Sequence, residues 1–525
     1  MRRLNLGTFM GQMYLTQVLD RAVQFKANQT ALVCGDAELT WAQFRARVTR
    51  LAAAFTALGL APGDRVAMLA DNGFPYFEFH YATPWAGGAI VPLNTRLSDA
   101  ELVYILNDCG AKILLLGPEY AARRAALEAG CSQLKTIIAL DDPGPAGYEA
   151  LIAAHAPRED ARRCGDDLFA IIYTGGTTGR PKGVATSVAN LVANTLAVIP
   201  VNDFHEDIVY LHNSPLFHTS GSARLLAVVS SLARSIILPR FEPAAVLHAI
   251  ETHRITHIIL VPTMLNRLLN CPEFESTDVS SLTHCVYGAS IMPEAVLRRA
   301  LTAMPKVRFS QSYGMTELSP SATYLAPKYH VLEGPNAGRI KSIGRALVTA
   351  EIRIANPEDQ EVPRGTIGEI QVRGPMVMQG YWGQPELSAQ TLRGGWMHTG
   401  DAGYMDDEGF IYLVDRIKDM IITGGENVYC GEVEHALHEH PAVRECAVIG
   451  LPHPDFVETV HAVVVVHADQ TVDEATLIAH CRSLIAGYKC PRSIEFRTNP
   501  LPLSGANKIL KTQLRQECLE RLGLR

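Results

Sequence analysis

The densest chemical signal in the chain is the run Ile171-Ile172-Tyr173-Thr174-Gly175-Gly176-Thr177-Thr178-Gly179-Arg180-Pro181-Lys182-Gly183. Residues 168–173 are apolar and predict a strand, which runs into glycines, threonines and a lysine. Glycines let the backbone turn sharply and bring its N–H groups close to an anion. Threonine hydroxyls add donors, and Lys182 adds positive charge. Cradling a polyphosphate needs these features. No Gly-Lys-Ser/Thr triplet closes the run and no helix is expected at the lysine, so it is not a Walker A loop. The competing reading is a Gly/Thr-rich surface hairpin, which a string of this length after a strand disfavours.

Further runs follow in order. Pro215-Leu216-Phe217-His218 leads into the small residues Thr219-Ser220-Gly221-Ser222-Ala223. Tyr287-Gly288-Ala289-Ser290 reads as a strand-end turn, where glycine lets a ligand lie against the backbone. Gln311-Ser312-Tyr313-Gly314-Met315-Thr316-Glu317 offers a hydroxyl and a hard carboxylate suited to a cation that bridges phosphates. Asp401, in His398-Thr399-Gly400-Asp401, can accept hydrogen bonds from a diol. Asp415-Arg416-Ile417-Lys418-Asp419, Thr423-Gly424-Gly425-Glu426-Asn427 and Ser504-Gly505-Ala506-Asn507-Lys508-Ile509-Leu510-Lys511 complete the series.

Together these runs resemble the motifs of the adenylate-forming superfamily: acyl-CoA synthetases, peptide-synthetase adenylation domains and firefly-type luciferases. The pattern is closest to stand-alone acyl-CoA ligases. Gly175 stands where serine is commonest, Ile291 replaces a usual proline, and Asn507 replaces a usual glycine. The resemblance implies an ATP site at Thr174, Gly175, Gly176, Thr177, Thr178, Gly179, Lys182, Gly288, Ala289, Ser290, Tyr313, Gly314, Thr316, Asp401 and Arg416. Tyr313 would stack on adenine, Asp401 would hold the ribose, and Arg416 would reach ribose or phosphates. Lys508 and Thr316 would act on the α-phosphate, with Lys511 as a nearby decoy, and Glu317 would hold Mg²⁺. His218, Ser222, Gly288 and Gly314 would line the acyl site. Gly424 and Gly425 would border the CoA tunnel, and Asp415 would be the hinge.

These residues must be carried by a suitable scaffold. Strand-like runs at 66–69, 89–93 and 112–116 alternate with helical patterns at 77–85 and from Ser98 to Gly110, where Ser98 and Glu101 form a capping box. The rhythm recurs at 236–238, 255–261 and 284–287. It predicts an α/β class built from parallel βαβ units. After about residue 340, runs at 351–354, 368–372 and 410–414 predict a small antiparallel, β-barrel-like part. Beyond Asp415 a compact α+β pattern follows, with helices at 431–440 and 473–486 and strands at 445–450, 461–467 and 493–497. The expected division is a domain at 1–414 carrying ATP and acid, and a mobile lid at 415–525.

Composition limits the partners. The 525 residues are 47% apolar and 19% charged, with 47 basic and 54 acidic side chains giving a net charge of −7. General nucleic-acid binding is disfavoured. Eleven cysteines without C-x-x-C spacing argue against a zinc ribbon or a disulfide framework. No membrane span and no secretory leader are read, so a cytoplasmic protein is expected. His438-Glu439-His440 lacks the spacing of a zinc-binding helix, and Cys430 reads as a packing residue.

The resemblance implies an ATP-dependent carboxylate–CoA ligase using ATP, Mg²⁺ and CoA, and releasing AMP and pyrophosphate. No acidic residue follows Phe217-His218, which disfavours an α-amino acid. The small residues there suggest room for an aromatic or a medium- to long-chain aliphatic acid. The alternatives are an acyl-AMP ligase loading a separate carrier protein, a luciferase-like oxygenase and a non-catalytic adenylate-binding protein. Dimers are common in the family, although the sequence specifies no interface.

Overall fold

The computed structural model describes residues 13–174, 180–290, 292–416, 419–423, 426–468, 470–504 and 509–523. Its larger part is built on two mixed sheets whose centres are parallel, as expected for βαβ units. In the first, Leu168–Thr174, Ala89–Pro92, Arg65–Leu69, Ala111–Leu116 and Thr136–Ala139 run parallel. Arg65–Leu69 is buried almost throughout, the unbroken apolar signature of a strand covered on both faces. The strand Lys182–Ser187 turns back antiparallel against Leu168–Thr174, and the two-residue strand Gly380–Tyr381 adds to its outer edge.

The helix Asp99–Cys109 has both arms of its capping box, with Ser98 accepting from the Glu101 amide, and it ends at Gly110 with φ +61°. The helix Phe74–Trp85 has no polar face, since every residue from Tyr76 to Trp85 is buried. It is an interior helix.

In the second sheet, of nine strands, Thr30–Cys34, Arg234–Ile237, Val209–His212, His257–Leu260, His284–Gly288 and Arg308–Gly314 run parallel, with antiparallel strands at both edges. The Thr30–Cys34 strand docks far along the chain from its own neighbours, which local patterning does not reveal. The antiparallel part is a four-stranded sheet of Glu351–Ala355, Gly368–Arg373, Met397–Met405 and Ile411–Arg416.

The chain leaves that sheet at Arg416. A separate sheet follows, in which Val457–Val466 pairs with Val443–His453, Ile421–Thr423 and Ser493–Arg497. The helices Cys430–His438, Glu474–Leu484 and Lys511–Leu522 complete this smaller part. Among the described residues no helix is long and apolar enough to cross a membrane.

One polar knot fixes the interior helix. Glu78 is fully buried and takes hydrogen bonds from Arg47 and from the Tyr148 hydroxyl at 2.5 Å. Arg47 also meets Glu149, whose side chain is 64% exposed. Arg47→Met would strand a buried carboxylate and should cost about 3–5 kcal/mol. Glu149→Ala, removing the solvent-facing partner, should cost under about 1 kcal/mol. Comparing urea midpoints of the two variants with the parent checks the contrast.

Candidate functional site

The strand ends of the nine-stranded sheet and the four-stranded sheet meet at Asp401. Its Oδ2 accepts from the Tyr313 hydroxyl at 2.6 Å, and its Oδ1 lies 2.7 Å from Arg416 Nε. Asp401 and Arg416 are direct cross-strand neighbours. Burial, then the nearby Asp401 carboxylate, push the Tyr313 phenol well up, so it stays a neutral donor. Burial works against the Arg416 charge, but the Asp401 carboxylate, helped by Glu317, outweighs it and holds the guanidinium protonated. An ionised carboxylate accepts through both of its oxygens, which suits a diol.

A second group sits at the turn after Gly314. Thr316 opens the short 3₁₀ turn Thr316–Leu318, half-buried, and Glu317 is buried within it. Glu317 Oε1 accepts from the Tyr381 hydroxyl at 2.9 Å, and its carbonyl accepts from the Met378 amide at 2.9 Å. The Lys182 ammonium stands 5.5 Å from the Tyr381 ring centroid. Tyr381 therefore links the residue closing the glycine-rich run to the candidate metal carboxylate. Its sequence neighbourhood carries no chemical motif, and only the pairing of Gly380–Tyr381 with Lys182–Ser187 brings it there. Thr174 lies opposite Lys182 across the ladder, so an antiparallel strand, not a helix, follows the glycine-rich run. Glu317 fits Mg²⁺, because Tyr381 engages only one oxygen and the other remains a hard ligand for a cation that keeps water and phosphate ligands.

The candidate acyl residues divide. His218 is the N-cap residue of the helix Thr219–Ser230, its ring 4.5 Å from that of Phe217. The Ser222 hydroxyl is shared between His80 Nε2 at 2.7 Å and the Leu216 carbonyl at 2.9 Å. Burial lowers His80 to about 4, so its ring is neutral. A Cβ on Gly221 would collide with the Pro215 carbonyl oxygen. The small size of Gly221 and Ser222 thus has a packing cause and is no measure of pocket width. Likewise a Cβ on Gly288 would strike the Ser312 carbonyl, and one on Gly314 the Pro320 carbonyl. Ala289, at φ +69°, and Ser290 are exposed at the strand end.

Gly175, Gly176, Thr177, Thr178, Gly179, Gly424, Gly425 and Lys508 lie outside the described residues. Their flanks are described. Thr423 pairs with Glu426, and Ser504 accepts from Arg96 of the larger part at 2.7 Å. Asp415 Oδ2 accepts from the Gly431 amide at 3.0 Å, joining the end of the four-stranded sheet to the start of the helix Cys430–His438. Lys511 is half-buried against Glu434, Nζ to Oε1 2.8 Å. Burial opposes its charge, yet the Glu434 and Asp415 carboxylates hold the ammonium protonated. Cys430 is buried, donates to the Asp419 carbonyl, and has its thiol pushed up by burial, as befits a packing residue.

The chain matches the AMP-binding enzyme model over residues 19–382 and the AMP-binding enzyme C-terminal domain model over residues 432–508. It is 40% identical over 497 residues to a feruloyl-CoA synthase from Amycolatopsis sp, covering 94% of this chain and 97% of that one. It is 34% identical over 510 residues to an indoleacetate–CoA ligase from Aromatoleum aromaticum, covering 96% and 98%. The crystal structure of an anthranilate CoA ligase in complex with anthranoyl-AMP superimposes with a TM-score of 0.88 at 28% identity, covering 96% of this chain and 97% of that one.

Lys511→Met would leave the half-buried Glu434 without its counter-charge and should destabilise the smaller part by about 1–2 kcal/mol. Differential scanning calorimetry should show its transition falling, and an unchanged melting profile would refute the structural assignment of Lys511.

Proposed function

Because this chain belongs to the AMP-binding enzyme family, we propose that it is an ATP-dependent carboxylate–CoA ligase that works through an acyl-adenylate. The observation that carries the reading is the joining of buried Tyr313 and Asp401 with the partly exposed Arg416 into one group beside Glu317 and Lys182. Such a group offers an aromatic face, an acceptor for a diol and fixed positive charge in one place. The similarity to feruloyl-CoA and indoleacetate–CoA ligases supports an aromatic acid over a long aliphatic one.

In the first step a carboxylate oxygen of the acid bonds to the α-phosphorus of ATP, and the bond to the bridging oxygen breaks to release pyrophosphate. Tyr313 and Asp401 orient the nucleoside, and Arg416 and Lys182 offset phosphate charge. Lys508 and Thr316 stabilise the charge that develops on the α-phosphate, where preorganised donors act most strongly. When bound at Glu317, Mg²⁺ supplies charge neutralisation on the phosphates. The lid at 415–525 then turns about Asp415, withdrawing Lys508 and presenting Gly424 and Gly425 to CoA. The CoA thiolate bonds to the acyl carbon, and the bond to AMP breaks. We place the enzyme in the cytoplasm, where its free thiols stay reduced.

The test is acid-dependent pyrophosphate release across a panel of carboxylic acids, with and without CoA. Release that depends on an aromatic acid and a thioester product with CoA are expected. Release that no acid stimulates would sink the ligase reading, and adenylation without thioester would assign the acyl group to a carrier protein. Lys508→Ala should lower adenylation about a hundredfold or more. Glu317→Gln should raise the Mg²⁺ concentration needed for half-maximal rate, because it removes the anionic ligand.

A further inference from the structure

One buried charge is used by none of these steps. Arg224, in the helix Thr219–Ser230, is only 5% exposed. Among the described residues it makes no hydrogen bond and no ion pair. Its guanidinium lies 6.0 Å from the Phe204 ring centroid, and the groups that act on it electrostatically are the Tyr210 and Tyr324 phenols. Burial pulls its pKa down, since no carboxylate compensates it. The Tyr210 hydroxyl is itself buried without a partner. A guanidinium with five N–H donors in such a place is costly, and a leucine or methionine would fill the space at less expense. Its retention points to a ligand that supplies the missing acceptor.

The register of the nine-stranded sheet places this group. Gly288 lies beside Ser312, and Ser312 beside Tyr324. Tyr210 lies beside His257, which lies beside His284, on the same side as Gly288 further along that strand. Residues side by side across strands share a face. Tyr210 and Tyr324 therefore stand on the face where Gly288 opens. The helix Thr219–Ser230 covers that face, with Ala227 and Val228 packed in one cluster with Tyr210. At 1.5 Å per residue Arg224 is about 9 Å along the helix from His218. That distance suits an aromatic ring with a short linker.

We propose that Arg224 forms the far wall of the acyl site and selects acids that carry an oxygen hydrogen-bond acceptor at the end remote from the reacting carboxylate. The Tyr210 hydroxyl is its second donor. The acceptor is a phenolic oxygen or a second carboxylate, both of which a guanidinium fork recognises. This deepens the ligase reading and rests on it.

The experiment measures kcat/KM for acid-dependent pyrophosphate release with two matched pairs, cinnamate against 4-hydroxycinnamate and octanoate against octanedioate. Wild type should favour the oxygen-bearing member of at least one pair by about a hundredfold or more, as sites built to bond a polar group reject the analogue that lacks it. Whichever pair shows the preference tells a phenol from a carboxylate. Arg224→Met should erase that preference and raise use of the plain member, and Arg224→Gln, which keeps a donor, should fall between.

Equal use of both members of both pairs by wild type would overturn the proposal while leaving the ligase reading intact. A uniform drop for all four acids in Arg224→Met and Arg224→Gln would overturn it too, since that marks a structural role. Release unaffected by any acid would overturn the ligase reading and the proposal together.

Discussion

The Asp401 carboxylate is the contact on which the site depends. Tyr313 comes from the nine-stranded sheet, while Asp401 and Arg416 come from the four-stranded one. One buried anion thus joins two sheets that share no strand. It also sets the direction in which the chain leaves for the smaller part, because Arg416 directly follows Asp415 and Asp415 is bonded to Gly431. A buried carboxylate needs donors in this position, and Tyr313 and Arg416 are two of them. The bonds from Tyr313 and Arg416 to Asp401 also fix an aromatic ring and a positive charge side by side.

The larger outline was legible in the sequence because its signals are local. The capping box at Ser98 and Glu101, the apolar runs of the parallel strands and the change of rhythm near residue 340 each reflect neighbours in the chain. The order of the site motifs was legible too. Pairing between distant segments was not. No pattern at 30–34 says that this strand joins 234–237, and nothing at 380–382 announces a partner for Glu317.

The glycines show a subtler gap. Small residues at 221, 288 and 314 suggest ligand space when only the sequence is in hand, yet each meets a carbonyl oxygen of the protein itself. Ser222 is similar, since its hydroxyl is spent on His80 and Leu216. A residue type gives the chemistry a position can do, and packing decides which neighbour receives it. Lys508 and Lys511 illustrate the same rule, for only the structure shows that Lys511 is tied to Glu434. Arg224 went unremarked because nothing in a helical run marks an arginine as buried without an acid.

The short strand Gly380–Tyr381 has a consequence for how such a protein is remodelled. It hydrogen-bonds to the strand that leaves the glycine-rich run, and its tyrosine holds Glu317. Segments near 182, 317 and 381, widely spaced along the chain, therefore behave as one mechanical piece. Recombination that brings in a new strand at 182–187 without its matching 380–382 segment would separate Lys182 from Glu317. The natural crossover points for chimeras lie outside this triplet.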